Sequence, residues 1–188
     1  MRTRRELAVA AARLFEEMGF ASTTVEDIAA AADYSASTFF RLFPRKEDAV
    51  FFDMPDRLEA LRASLPPDAD WPAIRAALVD HARTWEADDP DFAAARVRLF
   101  HQEPALGSRY LEYCEQYEDW LTEVVAARRG TDRGDVTTRL TAGCIVAGLR
   151  SAFKAQASTT EPDAAGSVVA HLERAFDALE AGPLTDLA

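Results

Sequence analysis

Apolar residues at the start of the chain recur at three- and four-residue spacing from Leu7 to Met18. This spacing places them on one face of a helix and predicts a helix over about residues 3–18. Gly19 follows the last of these apolar residues and is typical of a helix C-terminus. The apolar face of this helix needs partners elsewhere in the chain.

Two short helices are predicted after the first one. Thr24 is followed three residues later by Asp27, which resembles a capping box at the start of a helix over residues 25–32. Ser35 is a favourable N-cap for another short helix that reaches about residue 42. Two short helices joined by a tight turn and braced by a longer helix have the form of a helix-turn-helix unit, although a three-helix cluster without a DNA role would show the same pattern.

The rest of the chain shows helical spacing with short breaks, and no strand pattern or internal repeat. We therefore expect an all-α protein of about nine helices, with a three-helix helix-turn-helix domain at residues 1–48 and a helical domain at residues 49–188. The first of the later helices would link the two domains. These later helices are predicted over about residues 46–64, 71–88, 91–102, 104–129, 136–157 and 165–181.

Composition excludes several classes of protein. The 188 residues are 48% hydrophobic and 28% charged, with 8 Gly and 9 Pro, which rules out a wholly disordered or collagen-like chain. No apolar run approaches the roughly 18 residues of a membrane helix, and the N-terminus lacks the apolar stretch of a signal peptide, so we expect a cytoplasmic protein. Cys114 and Cys144 have neither CxxC nor zinc-site spacing, so no disulfide, metal or cofactor is expected.

The formal net charge of −11 argues against a protein that coats nucleic acid without selectivity, because such binding needs a surplus of Lys and Arg. The charge is distributed unevenly along the chain. Residues 1–48 hold seven basic and eight acidic side chains, whereas residues 49–188 hold 14 basic and 24 acidic ones. This asymmetry fits a protein that docks one face on DNA, and it fits equally well an acidic body whose charge only keeps it dissolved.

The segments Thr23–Ala29 and Ser35–Asp48 resemble the DNA-binding signature of the tetracycline-repressor (TetR) family of bacterial regulators. The resemblance covers about residues 4–50 and includes the run Ala-Ala-Arg-Leu-Phe at residues 11–15. Beyond residue 50 only the length and the helix count are similar. The resemblance implies a ligand-responsive transcriptional regulator, in particular a repressor, that binds a palindromic DNA operator as a homodimer and responds to a small-molecule effector.

The resemblance also implies DNA contacts for nine positions. Thr24 and Lys46 lie at helix starts where phosphate contacts are expected, and Arg41 is expected at a phosphate or a base edge. Arg4 would belong to an N-terminal arm on the DNA, against the alternative of a frayed, solvated terminus. The expected set is Arg4, Thr24, Ser35, Ala36, Ser37, Thr38, Phe40, Arg41 and Lys46.

The chain departs from the family pattern in two places. Phe40 stands where the family usually has Tyr, and Leu42 where it often has His or Tyr, so two polar groups that commonly meet phosphate are missing. We expect a lower DNA affinity from this change. The turn usually written Ala-Gly-Val-Ser contains Asp33 and Tyr34 here, and Asp tolerates the left-handed conformation well enough for the turn to survive.

Reading two half-sites of a palindrome requires a two-fold dimer, and the last two predicted helices are the candidates for its interface. They carry small residues beside larger apolar ones, which could pair across the axis as a four-helix bundle. The alternative is that these stripes only close the core of the monomer. The candidate dimerisation residues are Leu140, Ala147, Leu149, Val169, Leu172 and Phe176.

The middle helices are rich in aromatic side chains with polar tips, which line pockets for apolar or aromatic ligands but also fill ordinary helical cores. The acidic surplus of this part of the chain hints at a cationic ligand. Oxidation sensing by the two cysteines is a further possibility. The candidate ligand-binding residues are Phe100, His101, Tyr110, Tyr113, Cys114, Trp120 and Cys144.

Three hypotheses about function follow from these features. The leading one is the ligand-responsive regulator, in which an occupied pocket moves the helix over residues 46–64 and changes the spacing of the two recognition helices. A rival is a helical enzyme or small-molecule carrier without DNA function. No Glu-x-x-His pair, Gly-rich phosphate loop or zinc-protease pattern supports an enzyme, and no catalytic residue is expected. A third hypothesis keeps the fold but loses DNA binding.

Overall fold

The computed structural model describes residues 2–158 and 167–182, and its regular elements are all α-helices. The expected all-α fold is confirmed, with ten helices in the described part where about nine were predicted. In chain order they are α1 (Arg2–Met18), α2 (Val25–Ala31), α3 (Ala36–Leu42), α4 (Lys46–Val50), α5 (Met54–Ser64), α6 (Trp71–Asp88), α7 (Pro90–Gln102), α8 (Pro104–Arg129), α9 (Val136–Ser158) and α10 (Val168–Ala181).

The helices group into two compact units. The first is the described part of Met1–Pro55 together with Asp89–Glu112, and the second is the described part of Asp56–Asp88 and Tyr113–Ala188. The first unit is therefore built from two separate stretches of sequence. These units are defined by contacts, and the expected functional boundary at residue 48 stays a prediction.

In the first unit, α1 packs against α2, α4 and α7, and α2 packs against α3. The apolar face of α1 that the spacing predicted is buried here, with Leu7 and Ala11 fully inaccessible to solvent. The partners that this face needs come from both stretches of sequence. The largest fully buried side chains in this core are Leu7, Ile28, Phe39, Val50, Phe51, Val97 and Leu106, each less than 2% exposed.

The single helix predicted over residues 46–64 is wrong, because α4 ends at Val50 and α5 begins at Met54. Pro55 explains part of the break. Proline has no backbone N–H, so it cannot donate the intrahelical hydrogen bond to the carbonyl of Phe51 that a continuous helix requires. The amide of Met54 instead donates to that carbonyl at 3.0 Å, which closes a tight turn between the two helices.

A buried arginine of α7 supplies the rest of the explanation. Arg96 is 2% exposed, and its Nη1 donates to the backbone carbonyl of Val50 at 3.2 Å and to Asp53 Oδ1 at 2.5 Å. The last carbonyls of a helix lack intrahelical partners, so a guanidinium group at this position satisfies one of them. Its planar group also lies over the ring of Phe92, 5.0 Å from the ring centre.

In the second unit, α10 packs on α9 and α6. Leu172 and Phe176 of α10 are fully buried there, and the Trp71 ring meets Phe176 edge-on at 5.2 Å. Gly148 lets α9 and α10 pack closely, because a Cβ at this position would lie only 3.2 Å from Phe176 Cε1. Glu86 of α6 holds the start of α10 by accepting a hydrogen bond from the Val168 amide at 2.7 Å.

The predicted limits of the long helices agree closely with the structure. The predictions for α6 and α8 match at both ends, and α9 extends one residue further, to Ser158. The last helix was predicted to begin at residue 165, which lies outside the described residues. Among the described residues, α10 begins at Val168 after the N-cap Ser167, whose hydroxyl accepts a hydrogen bond from the Ala170 amide.

Candidate functional site

The capping box predicted at the start of α2 is confirmed. Thr24 Oγ1 accepts a hydrogen bond from the Asp27 amide at 3.1 Å, and Asp27 Oδ2 accepts one from the Thr24 amide at 2.9 Å. The same carboxylate accepts a short hydrogen bond from the Thr24 hydroxyl, at 2.6 Å. The hydroxyl and then the amide stabilise the ionised carboxylate and hold the pKa of Asp27 below its ordinary value.

The turn between α2 and α3 survives the departure from the family pattern. Asp33 takes the left-handed conformation, with φ of 59°, as expected for a residue in the place of the usual glycine. Ser35 caps α3 by accepting a hydrogen bond from the Thr38 amide at 3.1 Å. The Tyr34 hydroxyl donates to Glu6 Oε2 at 2.6 Å, so the turn is tied to α1. Sequence reasoning missed this contact.

The outer face of α3 presents the residues expected to contact DNA. Ser37, Phe40 and Arg41 are exposed, whereas Ala36 and Thr38 are half-buried beside them. Phe40 is 55% exposed, an unusual position for a phenylalanine in a short helix. On the opposite side of α3, Phe39 is fully buried, which fixes the direction of the outer face.

Besides the cap residues Thr24 and Ser35, two further expected DNA contacts, Lys46 and Arg4, lie outside α3. Lys46 Nζ donates to the carbonyls of Phe20 at 2.6 Å and Thr23 at 2.9 Å, and it lies 4.1 Å from the centre of the Phe20 ring. It therefore fastens the loop that leads into α2, and an ammonium group keeps one further donor. Arg4 is half-buried on α1. Neither Arg4 nor Arg41 forms an ion pair with a residue that the structure describes.

The residues expected to bind a ligand are divided between the two units. Phe100, His101 and Tyr110 belong to the first unit, where the Phe100 and Tyr110 rings stack at 4.2 Å between centres. The other four belong to the second unit. Tyr113 and Trp120 are buried, Cys114 is half-buried and Cys144 is exposed. Their role in ligand binding stays a prediction.

A cavity of about 490 Å³ lies in the second unit, between the N-terminal end of α6, the C-terminal end of α8, the first half of α9 and the end of α10. Cys144 is the ligand candidate that lines it, and the dimerisation candidate Leu140 lies at its edge. Its floor is apolar and its rim carries two arginines. The floor is formed by Ala69, Ile74, Val125 and Ile145, and the rim includes Arg128 and Arg129.

The candidate dimerisation residues fall into two groups. Leu172 and Phe176 are fully buried inside the second unit, and their place in a dimer interface stays a prediction. Leu149 and Val169 are half-buried. Ala147 is exposed and Leu140 is 65% exposed, and the neighbouring Val136 is 75% exposed, so α9 carries apolar side chains without cover in the monomer.

Sequence reasoning missed a set of charged contacts in the first unit. Besides the buried pair of Arg96 with Asp53, the Arg109 guanidinium lies 2.9 Å from the Asp48 carboxylate. One signal was present in the sequence. Arg96 stands at helical spacing between the apolar residues Phe92 and Phe100, and a charged residue in a buried register needs a partner.

The described residues contain no group of His, Cys, Asp and Glu side chains that could hold a metal ion. In the same part of the chain, no helix is long and apolar enough to cross a membrane.

The capped helix pair, the tight turn and the exposed second helix define a helix-turn-helix protein with an additional helical unit. Residues 7–50 match the family model for bacterial regulatory proteins of the TetR family, and residues 69–183 match the model for the MftR C-terminal domain of TetR proteins. The chain therefore belongs to the TetR family of transcriptional regulators, whose members are in general not enzymes.

The chain is similar to one regulator in sequence and to two solved structures in fold. The chain is 36% identical over 144 residues to the HTH-type transcriptional regulator TcmR of Streptomyces glaucescens, a match that covers 71% of this chain and 63% of that protein. Thermus thermophilus FadR, a TetR-family repressor solved with lauroyl-CoA, is 23% identical with a TM-score of 0.60 over 95% of this chain and 94% of its own. SmeT, solved with triclosan, is 16% identical with a TM-score of 0.66 over 95% and 91%.

Proposed function

We propose that the protein is a transcriptional repressor that binds a palindromic operator as a homodimer and is released by a small-molecule effector. The observation that carries the proposal is the outer face of α3, where Ser37, Phe40 and Arg41 are exposed beside a capped α2. The similarity to TcmR, which is described as a transcriptional regulator, supports the same function. A regulator of this kind acts on chromosomal DNA in the cytoplasm and needs no catalytic residue.

Each part of the helix-turn-helix has a separate task in this proposal. The amides at the start of α2, next to Thr24, receive a phosphate oxygen, as helix N-termini commonly do. Ser37 and Arg41 meet base edges or phosphates in the major groove, and the exposed ring of Phe40 contacts a thymine methyl group. Lys46 acts by fastening the loop before α2, and its remaining donor is free to face the DNA backbone.

Dimerisation is proposed through α9 and α10. The exposed side chains of Val136, Leu140 and Ala147 give α9 an apolar surface that a second copy would cover. A two-fold dimer formed through this surface would supply two copies of α3, one for each half-site. Leu149 and Val169, which are half-buried, would contribute to the edge of the same interface.

The effector is proposed to bind in the second unit, which holds a cavity large enough for a small molecule. Two structural neighbours were solved with small molecules bound, lauroyl-CoA and triclosan, which supports this part of the proposal. Ligand and operator would then be coupled through their different affinities for two arrangements of the dimer.

The proposal is tested by selecting bound duplexes from a random DNA pool with the purified full chain. We expect an enriched palindrome with two half-sites, bound with a strong dependence on salt concentration. The variant Arg41→Gln should bind the selected duplex about tenfold more weakly, as expected for the loss of one charged contact to a base or phosphate. Arg62→Gln, which removes an exposed arginine of α5 outside the helix-turn-helix, is the matched control and should bind like the parent protein.

A pool without any enriched sequence, even at low salt, would contradict the proposal. It would favour instead a helical carrier that keeps the fold and has lost DNA binding, consistent with the missing polar groups at Phe40 and Leu42. Equal losses in the Arg41→Gln and Arg62→Gln variants would show that α3 is not the DNA-reading element.

A further inference from the structure

The cavity of the second unit has an apolar floor. Ala69, Ile74, Val125 and Ile145 line it and are each 6% exposed or less, so its base is formed by buried apolar side chains. The Trp71 ring forms part of the wall. A cavity of about 490 Å³ with such walls fits an organic ligand whose body is apolar.

The rim of the cavity is positively charged. Arg128 and Arg129 close α8, both are exposed, and neither forms an ion pair with a residue in the described part of the chain. Arg129 donates one hydrogen bond to the Thr137 carbonyl at 3.1 Å, and a guanidinium group has five N–H donors, so most of its donors remain available.

The acidic residue of the lining does not neutralise this rim. Glu180 Oε1 accepts hydrogen bonds from Trp71 Nε1 and from Arg75 Nη1, each at 2.7 Å. These two donors lower the pKa of Glu180 and hold its carboxylate on the α6 side of the cavity. Arg75 also pairs with Asp177, its Nη2 lying 2.6 Å from Oδ1, so this cluster of one arginine and two carboxylates keeps a net charge of −1 on the α6 side. The two rim arginines outweigh it, since neither is paired with a carboxylate in the described part of the chain.

We propose that this cavity binds an amphipathic anion, with an apolar body between Ile74, Val125 and Ile145 and a carboxylate paired with Arg128 and Arg129. Arginine suits this task because its planar fork can hold both oxygens of a carboxylate. The acidic composition of the chain hinted at a cationic ligand. The positive charge of the rim would repel such a ligand and attract an anion instead. That this anion is the effector rests on the proposed function, whereas its binding to the cavity does not.

The test compares three probes with the same ten-carbon chain and different head groups: decanoate, decan-1-ol and decyltrimethylammonium. Binding to the full chain is measured by titration calorimetry below the concentration at which each probe forms micelles. We expect one decanoate per chain, bound at least about tenfold more tightly than the alcohol, since a charged hydrogen-bonded pair replaces a neutral one. The cationic probe should bind most weakly.

Variants locate the site. The double change Arg128→Gln and Arg129→Gln should reduce decanoate affinity about tenfold and leave decan-1-ol binding unchanged, because only the anion uses the guanidinium groups. Arg62→Gln is the control for the loss of an exposed arginine. Thr141→Phe, at a half-buried lining residue, should weaken both decanoate and decan-1-ol by filling the cavity. Equal affinity for the three probes, or an unchanged affinity in the double variant, would overturn the proposal.

The same protein samples separate this inference from the proposed function. If the protein binds decanoate through Arg128 and Arg129 but enriches no duplex, the anion site is supported and the proposed function is contradicted. If the protein enriches a palindrome but binds decanoate no more tightly than the other two probes, the proposed function is supported and the anion site is contradicted. If both hold, decanoate should weaken retention of the selected duplex, and the double variant should not respond.

Discussion

The helix-turn-helix segment and the cavity of the second unit are built in opposite ways. In the former, the hydrogen bonds that begin α2 and α3 join residues three apart, such as Thr24 with Asp27 and Ser35 with Thr38. In the latter, the wall is closed by contacts such as Trp71 with Glu180, 109 residues apart. Local sequence therefore determines the DNA-reading segment, whereas the cavity depends on the packing of four helices.

This difference predicts where substitutions are costly. A change on the exposed outer face of the helix-turn-helix segment should cost little stability and act mainly on binding, because the side chains there pack against few neighbours. A change at the α9 and α10 contact should act on the whole second unit. The three predictions that follow compare matched residues in or near these regions, each at one fixed protein concentration because a dimer would add a concentration dependence to stability.

The largest effect is expected from two phenylalanines that differ in burial. Phe176 is fully buried and Phe40 is 55% exposed. Phe176→Ala should lower the free energy of unfolding by about 3–5 kcal/mol, the cost of a large cavity in a core. Phe40→Ala should change it by about 0.5 kcal/mol or less, while weakening DNA binding. Urea unfolding followed by circular dichroism measures both, and similar costs for the two variants would contradict the comparison.

An intermediate effect is expected from two glycines of α9. A Cβ at Gly148 would lie 3.2 Å from Phe176 Cε1, whereas a Cβ at Gly143 would lie 3.8 Å from the Glu118 carboxylate, an ordinary contact. Gly143→Ala should gain about 0.5–1 kcal/mol of stability from the helix preference of alanine. Gly148→Ala should be less stable than Gly143→Ala by roughly 1–3 kcal/mol because of overpacking. Urea unfolding of both variants checks this prediction. A midpoint for Gly148→Ala at or above that of Gly143→Ala would contradict it.

The smallest effect is expected at the cap of α2. Thr24→Ala should cost about 1 kcal/mol, and the control Ser22→Ala, in the exposed loop before it, should cost less. The cost should depend on pH. Since the folded state lowers the pKa of Asp27 below its ordinary 3.8, this stabilisation is complete above that pH and is lost as the pH falls through the lowered value. A difference between parent and Thr24→Ala that stays constant down to pH 2 would argue against the capping box.

Much of the first unit could be predicted from the sequence because its signals are local. The capping box, the N-cap Ser35 and the left-handed Asp33 each depend on neighbouring residues, and all three are confirmed. The break between α4 and α5 was missed although Pro55 marks it, since the apolar spacing continues across it. The pairing of Arg96 with Asp53 joins residues 43 apart, which spacing within one helix cannot reveal.

The cavity could not be predicted for the same physical reason. Aromatic residues of the middle helices suggested a pocket, but the described cavity lies where α8 ends and α9 begins, and its charged rim comes from Arg128 and Arg129. Which residues share a cavity depends on how helices distant in the sequence rotate and pack. Leu140 illustrates the limit, because its place in an apolar stripe is equally compatible with a dimer face and with the edge of a cavity.

The break at residues 51–53 has a consequence for the design of chimeric regulators. The helix that closes it, α7, lies some forty residues later in the chain, and α1 also packs on α7. A cassette that ends at residue 55 would leave Val50 and the buried face of α1 without their partners, so we expect it to aggregate or remain unfolded. A transplanted DNA-reading half must therefore carry residues 89–112 with it, and gene fusion at a single crossover point will not deliver that half intact.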